Sequence, residues 1–334
     1  MDFIDPNSST KLENDPHDLF SSKSTTFIQP VRRQSIKAWW LAGVVLIYLF
    51  GLGSGYGIWG QTHKDLELAQ TAPSEMEIMY KQVNPENGFA LPVSFGDIGP
   101  QMVKAGVFDR EEFIGVYQRA GKPLTEEQLS ILDGTYQGIV VMNHETAYFL
   151  LNFLWAIGLS SQNPILESGP IQKNGQSGVE GFASTGGWSL ATKPLEEIFA
   201  SLEMIELTPE QQMRAEEAAK AVYRPCCDNS THFPDCNHGM AMLGLLELMA
   251  SQDVSLDDMF EAAKYVNAFW YPQQSLEQAV YFQKADGRAF ADVDARTILG
   301  SQFSSRSGFN TLHQYLGEQG WLPQAPNSGG SCGV

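Results

Sequence analysis

The sequence predicts a mostly α-helical protein, with a single N-terminal transmembrane helix followed by an α-helical extracytoplasmic domain with long loops. Three observations support this fold class. One uncharged apolar stretch near the N-terminus is long enough to cross a bilayer. The rest of the chain carries helix-start signals and apolar residues at helical spacing, whereas alternating runs typical of strands are scarce.

The composition is that of a globular protein with a strong excess of acidic residues. The chain has 334 residues, of which 43% are hydrophobic and 18% charged, and its formal net charge is −18. This apolar content suffices for a sizeable core. A polyanion repels the phosphate backbone, and no basic cluster in the body of the chain offsets the charge, so no nucleic acid is expected as a partner.

The apolar stretch covers residues 38–60, which contain no charged side chain. Its length, about 20 residues, matches the hydrocarbon core of a bilayer. Aromatic residues stand at both ends, where an interfacial belt would lie, namely Trp39, Trp40, Tyr56 and Trp59. A cleaved signal peptide is the alternative, but the preceding segment is too long and no small-residue cleavage site is clear. We therefore expect a signal-anchor that binds membrane lipid through residues 38–60.

The charges that flank the apolar stretch predict its orientation. Lys23, Arg32, Arg33 and Lys37 precede it, and only Lys64 follows closely. The positive-inside rule then places the N-terminus in the cytoplasm. The expected location is the cell membrane, single-pass, with the C-terminal domain extracytoplasmic.

The second half of the predicted span is rich in glycine. Gly51, Gly53, Gly55 and Gly57 form two overlapping GxxxG pairs. Such pairs favour close helix packing, which predicts a membrane-protein partner or self-association through the span. The alternative is that glycine is simply common in membrane helices.

The sequence divides into five segments. We expect a cytoplasmic disordered tail at 1–37, the transmembrane helix at 38–60, a stalk and linker at 61–100, the α-helical domain at 101–322, and a flexible tail at 323–334.

Helix signals are frequent inside the domain. Thr125 and Thr208 each begin a capping box, and Ser255 is a third N-cap. Apolar residues recur at helical spacing over residues 136–157, 240–251 and 257–270. The stretch 161–190 is rich in Gly, Ser and Asn and is expected to be a long loop.

Three of the four cysteines fall in one short segment, residues 223–240. Pro225 should end the helix that begins near Thr208, and a new helix should begin near Asn237. The cysteines would therefore lie on a loop between two helix ends. Cys236 would lie near a helix N-terminus, whose partial positive charge favours a thiolate.

The first interpretation of this segment is a metal site. Its ligands would be Cys226, Cys227, Cys236 and His238, with His232 within reach along the loop. Thiolates and imidazoles suit a transition metal ion (zinc, copper or iron). The density of histidine among the cysteines favours this interpretation, although the spacing matches no common zinc pattern.

Two other interpretations of the cysteines remain open. In an oxidising compartment Cys226 or Cys227 could form a disulfide with Cys236 that staples the loop. The thiols could also be redox-active. Cys332, in the C-terminal tail, could be a free thiol, a disulfide partner or an additional ligand.

His144 is the remaining candidate site residue. It lies in a segment that reads as a buried core helix, where it would complete the metal site or be a hydrogen-bonded core histidine. The sequence His144-Glu145 does not continue to an HExxH motif, so a zinc protease is not indicated.

Together these features predict a membrane-anchored extracytoplasmic metal-binding or redox accessory protein that uses the Cys/His cluster. The alternative is an interaction or scaffold subunit of a membrane complex, with the cysteines as structural disulfides. A third expectation is a membrane-tethered enzyme whose site combines the 161–190 loop with His144.

Overall fold

The computed structural model describes residues 45–50, 74–175 and 178–323. Two units are distinguished, residues 1–71 and 72–334. In the first unit, residues 45–50 are helical and exposed. No helix in the described segments is both long and apolar enough to cross a bilayer. Most of the predicted span at 38–60 lies outside the described residues, as do the tail at 1–37 and Cys332, so the expectations for them stay predictions.

The described residues are mostly helical, with 61% helix and little strand, which confirms the mostly α part of the predicted fold class. In the second unit the described helices are α1 (Glu75–Val83), α2 (Ile98–Ala105), α3 (Arg110–Arg119), α4 (Glu126–Leu132), α5 (Ala147–Ser160), α6 (Pro164–Glu167), α7 (Pro170–Asn174), α8 (Leu195–Ile198), α9 (Pro209–Ala221), α10 (Asn237–Ser251), α11 (Leu256–Trp270), α12 (Pro272–Asp286), α13 (Ala295–Leu299), α14 (Ser301–Ser304) and α15 (Arg306–Gln319). Two short strands, β1 (Phe89–Ala90) and β2 (Val141–Met142), pair antiparallel.

The helix starts predicted from local sequence are present. Thr125 and Thr208 each form a reciprocal capping box, with Gln128 and Gln211 respectively. The Ser255 side chain accepts the backbone N–H of Asp258 at the start of α11. Each cap satisfies N–H groups that the first helical turn leaves without a partner.

Helices α5 and α10 form the centre of the core. Every residue of α5 from Phe149 to Ser160 is buried. The two helices cross at Gly158 and Gly244, where a Cβ on Gly244 would lie 2.6 Å from the backbone nitrogen of Gly158. Only a residue without a side chain lets the two backbones approach this closely.

The segment 74–100, which falls within the predicted stalk and linker, packs onto the helical body. Met79 and Val83 of α1 are buried in a second apolar cluster that α12 and α15 also line. Phe95 packs edge-on against Phe153 of α5, with ring centroids 5.0 Å apart.

The helix expected over 136–157 begins only at Ala147, because local polar contacts favour a turn before it. The Asn143 side chain accepts the N–H groups of Glu145 and Thr146, and the two residues before Asn143 form β2. His144 is therefore exposed on this turn rather than buried in a core helix.

The stretch 161–190 contains more structure than a simple loop. Its described part includes α6, α7 and a 3₁₀ turn at Val179–Gly181. Two buried indoles anchor it: Trp155 donates to the carbonyl of Ser184, and Trp188 of the loop donates to that of Val107. Tryptophan buries a large apolar surface and needs a partner for its N–H, so it holds an otherwise polar loop well.

Candidate metal centre

The three cysteines lie on the loop between α9 and α10, as the sequence predicts. Helix α9 ends at Ala221, and the loop then folds back on it: the N–H of Thr231 donates to the carbonyl of Val222. Cys236 is the N-cap of α10, where its sulfur accepts the N–H of Gly239 at 3.4 Å. The loop thus brings its two ends, and the sulfurs at each end, together.

The three Sγ atoms form a compact triangle. The separations are 3.3 Å between Cys226 and Cys236, 3.7 Å between Cys226 and Cys227, and 3.9 Å between Cys227 and Cys236. All three cysteines are free, since each separation far exceeds the disulfide bond length of about 2.05 Å. The loop is therefore not stapled by a disulfide in this structure.

The size of the triangle fits one metal ion. In a tetrahedral zinc–thiolate site with bonds of about 2.3 Å, sulfurs are about 3.8 Å apart. The point equidistant from the three sulfurs lies about 2.1 Å from each, so an ion at the usual zinc–sulfur distance would stand only about 0.9 Å out of their plane. Within the described residues, this is the one His/Cys/Asp/Glu group close enough to hold a metal ion.

A buried arginine supports the cluster. Arg224 is 1% exposed, and its Nε donates to the sulfur of Cys236 at 3.2 Å. Its remaining nitrogens donate to the carbonyls of Asn229 (2.8 Å) and Phe233 (3.2 Å) and to the carboxylate of Asp235 (2.7 Å). The guanidinium therefore ties the loop together and places a positive charge beside the sulfur.

Gly239 makes room for this guanidinium. A Cβ at position 239 would lie 2.4 Å from Nη2 and 2.5 Å from Cζ of Arg224. Because the side chain is absent, the guanidinium can lie against the first turn of α10. The local sequence Cys236-Asn237-His238-Gly239 thus encodes both a ligand and the space for its counter-charge.

The three thiols differ in their acidity. Hydrogen bonds from Cys226 and Cys227, together with the charge of Arg224, hold the pKa of Cys236 well below its usual range. The contact with Cys227 lowers the pKa of Cys226. The hydrogen bond to Cys236 and burial outweigh that effect and raise the pKa of Cys226 to about 11. The pKa of Cys227 is raised by its hydrogen bonds to Cys226 and Cys236 and by burial. Without metal, Cys236 is the thiolate and its two neighbours are protonated donors.

Two further side chains border the cluster. Tyr271, between α11 and α12, is buried against the cluster, and its hydroxyl interacts with the sulfur of Cys226. Burial holds the pKa of Tyr271 well above its usual value, so it remains a hydroxyl donor. On the other side Arg306, at the start of α15, donates through its side chain to the carbonyl of Cys226.

The three candidate histidines, His144, His232 and His238, do not belong to the group that the cysteines form. His238 is buried, packs its ring against Tyr271 with centroids 4.8 Å apart, and hydrogen-bonds through Nδ1 to the side chain of Asn237 at 2.9 Å. Burial lowers the pKa of His238 to about 4, which keeps the ring neutral. Its role as a ligand stays a prediction.

The other two histidines lie in different surroundings. His232 is partly buried beside α9. Burial and the charge of Lys220 lower its pKa, and the charge of Glu216 raises it by less, so the net shift is downward. His144 stacks on Tyr80, with its Nε2 3.5 Å from the tyrosine hydroxyl. Neither His232 nor His144 belongs to the group that the three sulfurs form, and the roles of these two histidines as ligands also stay predictions.

Sequence reasoning missed Arg224, Tyr271 and Arg306. A local signal existed for Arg224, which stands immediately before the Pro-Cys-Cys sequence at a helix end. No local signal existed for Arg306, which is 80 positions away from the carbonyl it contacts.

Comparisons of the chain with protein-family models, with curated proteins and with solved structures found no significant match.

Proposed function

We propose that this protein binds a transition metal ion through Cys226, Cys227 and Cys236. The observation that carries the proposal is the sulfur triangle, whose edges of 3.3–3.9 Å match the spacing that one thiolate-bound ion requires. Zinc and copper(I) suit three thiolates best, and iron suits them as well. The fourth position of a tetrahedral ion is left for His238, for Tyr271 through a water molecule, or for an external ligand.

The charges around the cluster support this proposal. Three thiolates crowded together repel one another. A divalent ion would neutralise two of their charges, and the guanidinium of Arg224, which also pairs with Asp235, would offset part of the third. Before binding, Cys226 and Cys227 hold their protons, so the ion has to displace two protons at neutral pH. Affinity should therefore fall as the pH is lowered.

We further propose that the site belongs to an accessory protein at a membrane surface, anchored through residues 38–60 with the helical unit outside the cytoplasm. The uncharged apolar stretch and the basic residues before it support this location. The glycine-rich half of the stretch supports a membrane-protein partner or self-association.

Metal analysis of the full chain tests the proposed function. Protein purified in detergent without chelator, under argon, should bind about one equivalent of zinc or copper(I) per chain. Cobalt substitution should give a sulfur-to-cobalt charge-transfer band, which Cys236→Ser should abolish. The matched control is Cys332→Ser, which should keep both the metal and the band. A folded wild-type chain that binds no metal and titrates three free thiols in the cluster would contradict the proposal.

Thiol redox chemistry is a second candidate, favoured by one specific observation. The sulfurs of Cys226 and Cys236 are only 3.3 Å apart, and the N–H groups of Arg224 and Gly239 are directed at Cys236. An exchange-active pair should form a Cys226–Cys236 disulfide with glutathione disulfide and release two equivalents of glutathione. Peptide mapping that finds these cysteines still free after such treatment would remove this candidate.

A further inference from the structure

A cavity unrelated to the cysteines opens between α3, α4 and the start of α5. Its volume is about 370 Å³, within the range of small-molecule sites, about 300–1,000 Å³. Aromatic side chains form its inner part: Tyr117 and Phe149 are buried, and Tyr148 packs edge-on against Tyr117 with centroids 5.2 Å apart. The inner part therefore suits a flat apolar group.

The rim of the same cavity carries both signs of charge. Lys122 and Glu145 line it and are exposed. Neither forms an ion pair with any residue in the described segments, although most of the basic residues there do. An ammonium group and a carboxylate that lack partners and share one small cavity can together hold a zwitterion.

Tyr117, one of the lining residues, has a hydrogen-bonding position to spare. The Tyr117 hydroxyl accepts the side-chain amide of Asn152 at 2.9 Å and donates to no described group. Burial raises the pKa of Tyr117 well above its usual value, so the proton stays on the oxygen. Behind it, the side-chain oxygen of Asn152 is buried and has no partner in the described part of the chain. The Tyr117 O–H is a buried donor, and such a donor is costly unless a ligand supplies an acceptor.

We propose that this cavity binds a free aromatic α-amino acid and prefers a ring with a hydroxyl at its tip, as in tyrosine. The ligand carboxylate meets Lys122 and its ammonium group meets Glu145, both at the rim. The ring lies against Tyr148 and Phe149, and its hydroxyl oxygen accepts the proton of Tyr117. His144, exposed on the turn before α5, closes the rim beside Glu145. The site shares no residue with the cysteine cluster.

Calorimetric titration of the full chain with four ligands tests each contact. L-tyrosine should bind at least about tenfold more tightly than L-phenylalanine, because a buried donor left unpaired penalises a ligand that lacks the acceptor. Tyramine lacks the carboxylate and 3-(4-hydroxyphenyl)propionate lacks the amine, and each should bind at least about tenfold more weakly than tyrosine. Absence of L-tyrosine binding at millimolar concentration would overturn the proposal.

Two rim variants should give a crossed pattern. Lys122→Met should weaken L-tyrosine and the propionate but leave tyramine unchanged, whereas Glu145→Gln should weaken L-tyrosine and tyramine but leave the propionate unchanged. Both residues are exposed, so both variants should fold. The control is Lys104→Met, an exposed lysine on α2 outside the cavity, which should change nothing. Equal effects of each rim variant on all three ligands would also overturn the proposal.

Discussion

Replacement of Arg224 perturbs the candidate metal centre most informatively, because this one side chain joins the loop to the sulfur of Cys236. Arg224→Met fills a similar volume and removes the charge. It leaves the carbonyl of Asn229 without a donor and the Asp235 carboxylate without its cationic partner, although the Asn229 side-chain amide still donates to that carboxylate. Breaking a buried charge pair from one side costs about 3–5 kcal/mol, so the free energy of unfolding of the metal-free protein should fall by that amount.

Arg224→Lys separates charge from geometry. Lysine keeps the positive charge but cannot reach several acceptors with a planar fork, so a loss of about 1–3 kcal/mol is expected. Both variants should bind zinc at least about tenfold more weakly, because a charge-assisted hydrogen bond to a thiolate contributes about 1.5–3 kcal/mol.

The assay is denaturant unfolding of the chelator-treated, reduced chain, followed by competitive zinc titration. Arg119→Met is the matched control, because Arg119 is a mostly exposed arginine whose ion pair with Glu112 contributes little. That variant should lie within about 0.5 kcal/mol of wild type. If Arg224→Met also changed the unfolding free energy by less than about 1 kcal/mol, the assigned role of the guanidinium would be refuted.

Three further predictions concern the core, the buried histidine and the thiols. Gly244→Ala places a methyl group 2.6 Å from the carbonyl oxygen of Leu154. In a urea melt it should lower the unfolding free energy by about 1–3 kcal/mol or more. The comparison variant is Gly287→Ala, which has open space at its Cβ but a left-handed backbone, and it should cost less than about 1.5 kcal/mol. The pKa of His238 is lowered by burial to about 4 from 6.5 in the unfolded chain, so the unfolded state binds more protons between these values. Stability of the metal-free protein should therefore fall as the pH drops from 6.5 to 4, by up to about 3 kcal/mol, and His238→Phe should remove that part of the slope. Zinc binding at neutral pH should release about two protons, measured by calorimetry in buffers of different ionisation enthalpy, and release of none would contradict the protonation states assigned to the thiols.

The sequence predicted the features that depend on neighbouring residues. The capping boxes at Thr125 and Thr208, and the helix start at Asn237, were predicted because each involves residues within one turn. The cysteines could be placed on one loop for the same reason, because Pro225 ends one helix and α10 begins soon after.

Features that depend on tertiary contacts could not be predicted in this way. The apolar period over 136–157 indicated a helix, but β2 pairs with residues 89–90, and the Asn143 side chain forms a turn instead. His144 consequently lies on the surface. The contacts of Tyr271 and Arg306 with the cysteine loop likewise depend on how α12 and α15 pack, and no local pattern carries that information.

X-ray absorption spectroscopy of the zinc-loaded protein tests the central claim most directly, because it counts the sulfur ligands and measures their distances. The structure predicts three sulfur atoms at about 2.3 Å and one nitrogen or oxygen atom at about 2.0–2.2 Å, with one sulfur lost in Cys227→Ser. A first shell made only of nitrogen and oxygen atoms, or a sulfur count unchanged by that substitution, would contradict a metal centre built on the three cysteines.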